Sequence, residues 1–551
     1  MVEECAKMPV VALYFDHLKP ILKNVTKKQI IDNLPFLGLD IEHEDNEKIR
    51  VEYSPNRPDY SIDYGIVNGL NGLLGIKKGL IKLKIKKSNN YKINVKQNVK
   101  SVRPFITGII AKNGTLDEQD IEQLMQMQED LHQGIGRNRK KSSIGIHDLD
   151  KIQFPLTYTT IARNHKFIPL NEKSENSIDE ILETNPKGKE YGHLLTNFQK
   201  VPIVLDSNQQ TVSFPPIINA SSTTVTKNTK NLFVEVTGIN KEEAENMLAT
   251  VATILQTAGF SLESTNISGA QNSTPKFLER KILLDPMLVN QILGLDLNTS
   301  KIISCLKKCR LDGVSKGKKI QCTIPAYRFD IFGEMDLVEE VALGYGIQNL
   351  TPTLTPSQTI GQTNLISEKI KLLTNSMVGF GFIEALNSSL TSKRILYDNS
   401  NRIDSLSLSV LDSKSLEHTI LRDSILPQLI ENLSRNIHEP YPQKIFETGT
   451  VFLTRKEIDE EFNFAGIIAH QDANYSEMKS ILQSALKTSF DLDIETKTNS
   501  ESLFEDGYCA NITIKNNSVG LIGKINSKVL ENYKIRVPVM GFEISLSNSI
   551  L

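Results

Sequence analysis

A single hydrophobic core stops growing well short of 551 residues, so length alone divides this chain into several domains of ~100–200 residues each. The punctuation agrees. Residues 9–90 carry alternating apolar stretches (Val10, Ala12, Tyr14), a helical segment from Thr26 to Leu37 and the turn-forming run Ser54-Pro55-Asn56-Arg57-Pro58-Asp59. The polar, Lys-rich neighbourhood of 88–97 reads as a linker. Beyond it, Ile121, Leu124, Met125, Met127 and Leu131 keep helical spacing over 117–133 and stop at Gly134 and Gly136. Short β-type runs follow, such as 201–205 and 232–236. The Ser/Asn/Thr-rich stretch 262–275 separates this α+β region from a piece of ~80 residues, in which two helical segments precede a strand and the helix 336–343. Residues 351–363, full of Thr, Pro and Gly, read as a second linker before the last domain.

Composition supplies cores for such an arrangement and excludes several classes. With 39% apolar residues, 6% aromatics and no Trp, the chain is an ordinary globular one. Lys plus Arg (63) and Asp plus Glu (65) nearly cancel, so any nucleic-acid contact must come from local patches. No apolar run approaches the ~20 residues of a membrane span, and Val10 to Phe15 is too short for a secretory signal; a cytoplasmic protein is expected. Five scattered cysteines (Cys5, Cys305, Cys309, Cys322, Cys509) read as reduced thiols. Cys305, Cys309 and Cys322 lack a fourth nearby ligand and read as helix packing rather than zinc binding.

Signatures of an autonomous enzyme are missing: there is no G-x-x-x-x-G-K-[ST], no H-E-x-x-H and no nucleophile elbow. Gly134-Ile135-Gly136-Arg137-Asn138-Arg139 spells G-x-G-x-x-R, but it ends a helix instead of joining a strand to one, and is read as chance. Arg137, Arg139, Lys140 and Lys141 suit either an RNA backbone or the C-terminal end of the helix dipole. Asp330, Asp336, Glu339 and Glu340 are the densest acidic group. On a helix, 336, 339 and 340 share a face with Asp330 near by, which suits Mg²⁺, while Asp336 and Glu339 equally form an N-cap pattern. In Ser213-Phe214-Pro215-Pro216-Ile217-Ile218-Asn219 the proline pair stiffens the backbone and removes two donors, as in a pocket wall or an edge strand with a turn.

These segments, in order and over nearly the whole length, resemble the β chain of archaeal and eukaryotic-type phenylalanyl-tRNA synthetases. Met8-Pro9-Val10-Val11 is similar to the family start and 54–59 to its N-terminal signature. The segments 136–141 and 144–150, with Leu205-Asp206-Ser207-Asn208 leading to 215–219, are similar to its editing domain. Arg328-Phe329-Asp330 through Glu340, Val341 and Ala342 resembles its winged-helix-like domain. The last domain resembles a class II synthetase fold, with helix 365–379, a dimer-type strand at 381–385, and the runs 421–427 and 446–449, but without a placed ATP-gripping arginine motif. The resemblance implies an α+β multidomain chain: an N-terminal α/β domain (1–95), an editing domain (96–272), a winged-helix-like domain (273–352) and a catalytically silent class II-like domain with an antiparallel sheet (353–551). Residues 1–7 precede the family start and read as disordered or as an upstream start codon. No added oligonucleotide-barrel or anticodon-binding domain is expected, in contrast with bacterial β subunits.

The resemblance further implies an (αβ)2 heterotetramer whose α subunit binds ATP and phenylalanine and charges tRNA(Phe), while the β chain removes misattached tyrosine. It implies Mg²⁺ on Asp330, Asp336, Glu339 and Glu340, and tRNA contact by Arg137, Arg139, Lys140 and Lys141. For editing, Ser213 and Asn219 flank the proline pair, and Glu235 and Thr237 lie two apart on one strand face. Glu235 is then either a buried acceptor for the tyrosine hydroxyl or a solvent-facing strand residue, and no Cys or His is obviously placed as nucleophile or base. Two other readings of the chain are a free-standing trans-editing hydrolase using 96–270 and a purely structural scaffold.

Overall fold

The computed structural model describes residues 8–271, 275–354, 360–404, 406–411, 413, 415–454 and 457–546. Cys5 and the extension 1–7 lie outside the described residues, as do 355–359 of the second expected linker. The chain is a mixed α/β multidomain protein that divides into two compact units, Met1–Leu354 and Thr355–Leu551. Among the described residues no helix is long and apolar enough to cross a membrane.

The first unit begins with a three-stranded antiparallel sheet (Val10–Tyr14, Lys48–Tyr53, Leu39–Glu44). The helix Lys27–Asn33 starts where Thr26 and Gln29 form a reciprocal capping box. The helix Asp63–Leu73 buries Ile66, Val67 and Leu70, spaced for one apolar stripe. Its Gly72 permits a close approach, since a Cβ there would stand 2.0 Å from the carbonyl oxygen of Lys308.

The middle of the unit is built on two sheets. One is ordered Ile85–Lys86, Ser261–Ser264, Phe105–Lys112, Leu232–Gly238, Ser142–Asp148; the other Ile218–Asn219, Thr211–Phe214, Lys200–Leu205, Leu156–Ala162, Lys92–Val95, Asn266–Gly269. Every residue of Leu232–Gly238 is buried, because the strand is covered on both faces. Val234 and Val236 pack under the helices Glu118–Gln133 and Lys241–Thr257, whereas Phe233 packs into a cluster with Val204 and Val212 of the other sheet. The helix Glu118–Gln133 spans almost the expected 117–133, with Asp117 as a reciprocal cap with Asp120.

Two sequence expectations fail here. The stretch 88–97, read as a linker, contains the strand Lys92–Val95, paired on both sides; and 262–275, read as a separator, contributes to Ser261–Ser264 and forms Asn266–Gly269. These strands bury only Ile93, Val95, Leu262 and Ile267, so their composition is that of a loop while long-range pairing makes them strands.

The unit ends in a three-stranded sheet (Arg280–Leu284, Lys319–Ile324, Asp312–Lys316) packed by the helices Pro286–Leu293, Thr299–Lys308 and Glu334–Tyr345. Cys305 and Cys322 are free thiols in its core, and burial pushes the Cys322 thiol up to about 12.

Among the described residues the second unit has a seven-stranded sheet, ordered Ile383–Glu384, Gln443–Thr454, Ile458–Ala469, Val539–Ser545, Asn517–Ile525, Phe504–Ile514, Glu495–Asn499, and a small two-stranded one, Leu390–Thr391 with Ile420–Leu421. In the seven-stranded sheet the first pair is parallel and the other five are antiparallel. Residues alternate between faces as a strand requires. Phe464 and Ile468 join the cluster of the helices Leu365–Gly379 and Tyr475–Phe490, while Ala465, Ile467 and Ala469 join that of Leu426–Arg435.

Candidate functional site

The strand Leu232–Gly238 is apolar except for Glu235 and Thr237. Glu235 is 3% exposed, and its partners in register are Gly108 on one side and Gly145 on the other. Gly145 leaves the carboxylate room. A Cβ on Gly145 would stand 2.6 Å from His147 Nε2 and 2.9 Å from Glu235 Oε1.

Glu235 lines a cavity of about 240 Å³ between the helix Glu118–Gln133, the edge strand Ser142–Asp148 and the hairpin from Ser213 to Asn219. Its walls mix apolar side chains (Ile121, Leu124, Ile144, Ile146) with polar ones, Ser213, Asn219 and Glu235 in one part and Glu129, Arg139 and Lys187 in another. Ser213 and Asn219 face each other in register. The Ser213 hydroxyl donates to Glu235 Oε1, and Asn219 Nδ2 donates to the Ile146 carbonyl at 3.4 Å. Glu235 Oε2 is buried without a partner. A buried carboxylate oxygen left in that state is costly unless something else completes it.

Thr237 shares Glu235's strand face but is not in the cavity wall. Its Oγ1 accepts from Arg103 Nε at 2.9 Å and lies 3.1 Å from Ser143 Oγ, so it supports the floor from behind. Burial lowers the Arg103 guanidinium to about 10, opposed by Tyr158 and by the negative charge of Glu235.

The basic run divides. Arg139 is 5% exposed and donates to the carbonyls of Pro216 (3.1 Å) and Ile217 (2.7 Å) and to Glu129 Oε1 (2.6 Å), with its guanidinium 4.4 Å over the Tyr191 ring. It clamps the proline hairpin and is not free to meet a tRNA, which corrects the sequence expectation at that residue. Arg137 and Lys140 are exposed, and Lys141 pairs with Glu243 at 2.6 Å. Burial alone would raise Glu129, but the hydrogen bond with His132 and the charges of Arg139 and Lys187 hold its carboxyl at about 2. Arg137, Asn138 and Arg139 take φ of 49°, 52° and 63°, three left-handed residues that cost on the order of 1–3 kcal/mol each and that aim Arg139 into the hairpin.

The acidic group is wired differently from the Mg²⁺ expectation. Arg328, 1% exposed, donates to both oxygens of Asp330 (2.8–3.2 Å) and to both of Glu340, and burial of a guanidinium needs such counter-charge. Asp336 Oδ2 accepts from the backbone of Phe332 (2.6 Å) and Gly333 (2.8 Å), so it caps the helix Glu334–Tyr345 from its third position, reaching back to Gly333, and is not the N-cap paired with Glu339 that the sequence suggested. Burial, with the charges of Glu340, Asp336 and Asp330, raises the Glu339 carboxyl. Among the described residues the three-ligand convergence of His, Cys and carboxylate atoms is His17, Asp117 and Asp120, not this group. The four carboxylates as placed therefore do not fit a shared cation. Arg57 joins the same locality: it pairs with Asp59 at 2.8 Å, lies 3.8 Å over Tyr60, and shares a small cavity lining with Tyr327 and Glu340. The 54–59 turn and the 328–340 segment, far apart in sequence, thus form one buried ionic junction.

His147 was missed. It is fully buried, stacks on Phe233 at 5.8 Å, lies 2.9 Å by Nδ1 from Thr223 Oγ1 and places Nε2 3.9 Å from Glu235 Oε1. The only sequence signal was its spacing of two from Gly145, which means nothing until the pairing of Gly145 with Glu235 is known.

Two of the family models that match the chain describe aminoacyl-tRNA synthetase domains, which sets its class. Three family profiles match: "B3/4 domain" over 91–254, "tRNA synthetase B5 domain" over 282–347 and "Phenylalanyl tRNA synthetase beta chain CLM domain" over 350–546. The phenylalanine–tRNA ligase β subunit of Archaeoglobus fulgidus is 39% identical, covering 98% of this chain and 98% of its own. That of Methanocaldococcus jannaschii is 36% identical, over 94% and 96%. The crystal structure of an N-terminal fragment of the phenylalanyl-tRNA synthetase β subunit from Pyrococcus horikoshii superposes with a TM-score of 0.58 at 31% identity, covering 61% of this chain and all of the fragment. The chain belongs to the phenylalanine–tRNA ligase β-subunit family, archaeal type.

Proposed function

We propose that this chain works with an α subunit as (αβ)2 phenylalanine–tRNA ligase in the cytoplasm, that the α subunit activates phenylalanine and charges tRNA(Phe), and that the cavity at Glu235 hydrolyses tyrosyl-tRNA(Phe). The observation that carries the editing reading is the buried, unpartnered Oε2 of Glu235 in the wall of the cavity. A tyrosine hydroxyl donates to that oxygen; a phenylalanine ring leaves it unpaired. A synthetic pocket rejects an added hydroxyl by only about 10²-fold, whereas a site built to bond the hydroxyl discriminates by about 10⁴ or more. Ser213 fixes the carboxylate, and the Arg139 clamp fixes the hairpin that carries Ser213 and Asn219. A water beside Ser213 or Asn219 then attacks the ester carbonyl, the acyl carbon–oxygen bond breaks, and the ribose oxygen takes a proton.

In this reading 96–272 is the editing domain, 273–352 a winged-helix-like brace and 353–551 a class II-like domain without its own active site. Arg422 supports the last assignment: it is 2% exposed and held by Glu447 (2.6 Å), Gln428 (3.0 Å) and the Thr450 carbonyl (3.0 Å), so it is not available to grip a phosphate. Mg²⁺ enters with the ATP handled by the α subunit, since Asp330 and Glu340 are committed to Arg328 and Asp336 to the helix start. The α chain is expected on the apolar surface of the second unit, where Leu365, Leu372, Val378, Ile383 and Leu386 are exposed. Arg137, Lys140 and Lys141 remain the candidates for tRNA contact. Co-expression with the α chain tests the scheme: the pair should co-purify, charge phenylalanine and deacylate tyrosyl-tRNA(Phe), while this chain alone should give no phenylalanine-dependent pyrophosphate exchange. Exchange by this chain alone overturns the silent-domain assignment.

A further inference from the structure

Charge cancels over the whole chain, with 63 Lys and Arg against 65 Asp and Glu, yet residues 76–100 hold nine lysines and neither Asp nor Glu. All nine are exposed, and among the described residues none of their ammonium groups has an ion pair or a hydrogen bond. The backbone beneath them is fixed. Lys84 N donates to Gln256 Oε1 at 2.7 Å, and Gln256 Nε2 donates to the Lys82 carbonyl at 3.1 Å. Ile85–Lys86 pairs in parallel with Leu262 and Glu263, and Asn266 Nδ2 donates to the Ser88 carbonyl at 2.9 Å. Leu83 and Ile85 pack inward on the cluster of the helix Lys241–Thr257, so Lys82, Lys84 and Lys86 face outward together, each two residues or about 7 Å from the next. Glu263, opposite Lys86 in register, is engaged by Lys112 at 3.2 Å. Upstream, the Arg310 guanidinium donates to the Lys77 carbonyl and adds to the positive side.

A row of like charges held in place without counter-charge raises the energy of the folded chain, and a polyanion relieves it while releasing its own counterions. Position separates this row from the cavity. In the first sheet Ile85–Lys86 is the edge strand opposite Ser142–Asp148, four strand spacings or about 20 Å from the cavity wall; in the second, Lys92–Val95 lies toward the end away from Ile218–Asn219. That distance is beyond the nucleotide that enters the cavity and falls to the stem behind it. The one aromatic ring of the segment, Tyr91, is half-buried and edge-on to Phe154 at 5.0 Å, so the row offers ammonium groups to phosphates and nothing for bases to stack on. We propose that this lysine row is a docking surface for the phosphate backbone of RNA, and that it grips a helical stem of the tRNA whose acylated end enters the cavity. The identity of the RNA rests on the function proposed above. The row adds to it a second contact, at the opposite sheet edge from the cavity and indifferent to base sequence.

The test uses the αβ enzyme with unacylated tRNA(Phe) and measures Kd by fluorescence anisotropy across a salt series. The triple variant K82Q/K84Q/K86Q keeps the side-chain stems and removes three charges. At about 0.1 M salt its Kd should rise about 10-fold or more, and the slope of log affinity against log salt should become shallower by about 3, near 1 for each lost phosphate contact. KM for tRNA in charging should rise with Kd while kcat stays at the wild-type value. K82R/K84R/K86R keeps the charge and should bind as wild type does. Removing like charges relieves repulsion, so K82Q/K84Q/K86Q should melt no lower than wild type, which separates lost contacts from lost folding. K515Q/K528Q/K534Q, at three other exposed lysines, should leave the slope unchanged. A wild-type slope in K82Q/K84Q/K86Q, or an equal loss in K515Q/K528Q/K534Q, overturns the row as a docking surface and leaves the proposed function standing. Wild-type αβ enzyme that neither binds nor charges tRNA(Phe) overturns that function and the choice of RNA with it.

Discussion

A carboxylate in the middle of a strand buried on both faces survives only if neighbours hold it, and Glu235 is held on one oxygen alone, by Ser213. The residues that support it act at a distance from the chemistry. Arg139→Ala removes the donor shared by the Pro216 and Ile217 carbonyls and by Glu129, so stability should fall by about 2–4 kcal/mol, as for a buried charged hydrogen-bond hub. Chemical denaturation of the αβ complex measures this, and KM for tyrosyl-tRNA(Phe) hydrolysis should rise with it; Arg139→Lys should not rescue, since a single ammonium cannot span three acceptors. At the ionic junction, Arg328→Met should cost about 3–5 kcal/mol because Asp330 and Glu340 are left buried and uncompensated, whereas Glu339→Gln should leave both stability and the Mg²⁺ dependence of charging unchanged. A shifted Mg²⁺ requirement in Glu339→Gln would return the cation to that helix face. Ser213, Asn219 and Glu235 were legible in the sequence because a proline pair and one acid in an apolar strand stand out locally. His147 and the Arg139 clamp were not, since each depends on cross-strand register or on a left-handed turn that residue types alone do not announce.

The helices Glu118–Gln133 and Leu365–Gly379, capped by Asp117 and Asn364, were read to within a residue, whereas the equally capped Lys241–Thr257 and Tyr475–Phe490 were not read at all, and the strands that failed, Lys92–Val95 and Asn266–Gly269, are those whose only reason to be strands is a partner far along the chain. The helix caps also create a coupling between elements. His17 donates from Nδ1 to Asp63 and from Nε2 to Asp117, each at 3.1 Å, tying the N-terminal piece to the first turn of Glu118–Gln133. The hydrogen bond with Asp63 outweighs burial and, with the charges of Asp63 and Asp120, raises His17 from 6.5 to about 9. A raised folded-state value means the contribution is complete below about 6.5 and is lost as pH climbs through about 9. The enzyme should therefore lose stability across pH 6.5–9, and His17→Gln should flatten that slope, measured as denaturant midpoint against pH. An equal slope in the variant would show that the link lies elsewhere.

At the scale of the whole chain, the cavity lies within the first of two compact units, Met1–Leu354, and the mostly antiparallel seven-stranded sheet within the second. The exposed side chains of Leu365–Gly379 and Ile383–Glu384 should be covered by the α chain, so Leu372→Glu with Ile383→Asp should abolish co-purification while leaving this chain folded by circular dichroism. In the function proposed above, tyrosine is removed from tRNA(Phe) because Glu235 bonds its hydroxyl. The most direct measurement is the ratio of hydrolysis rates for tyrosyl-tRNA(Phe) and phenylalanyl-tRNA(Phe) by the αβ enzyme carrying Glu235→Ala, beside wild type and with phenylalanine charging as the control. Wild type should favour the tyrosyl ester strongly, and the variant should lose that preference while charging at the wild-type rate. An unaltered ratio in the variant, or no hydrolysis of either ester by wild type, would contradict the account.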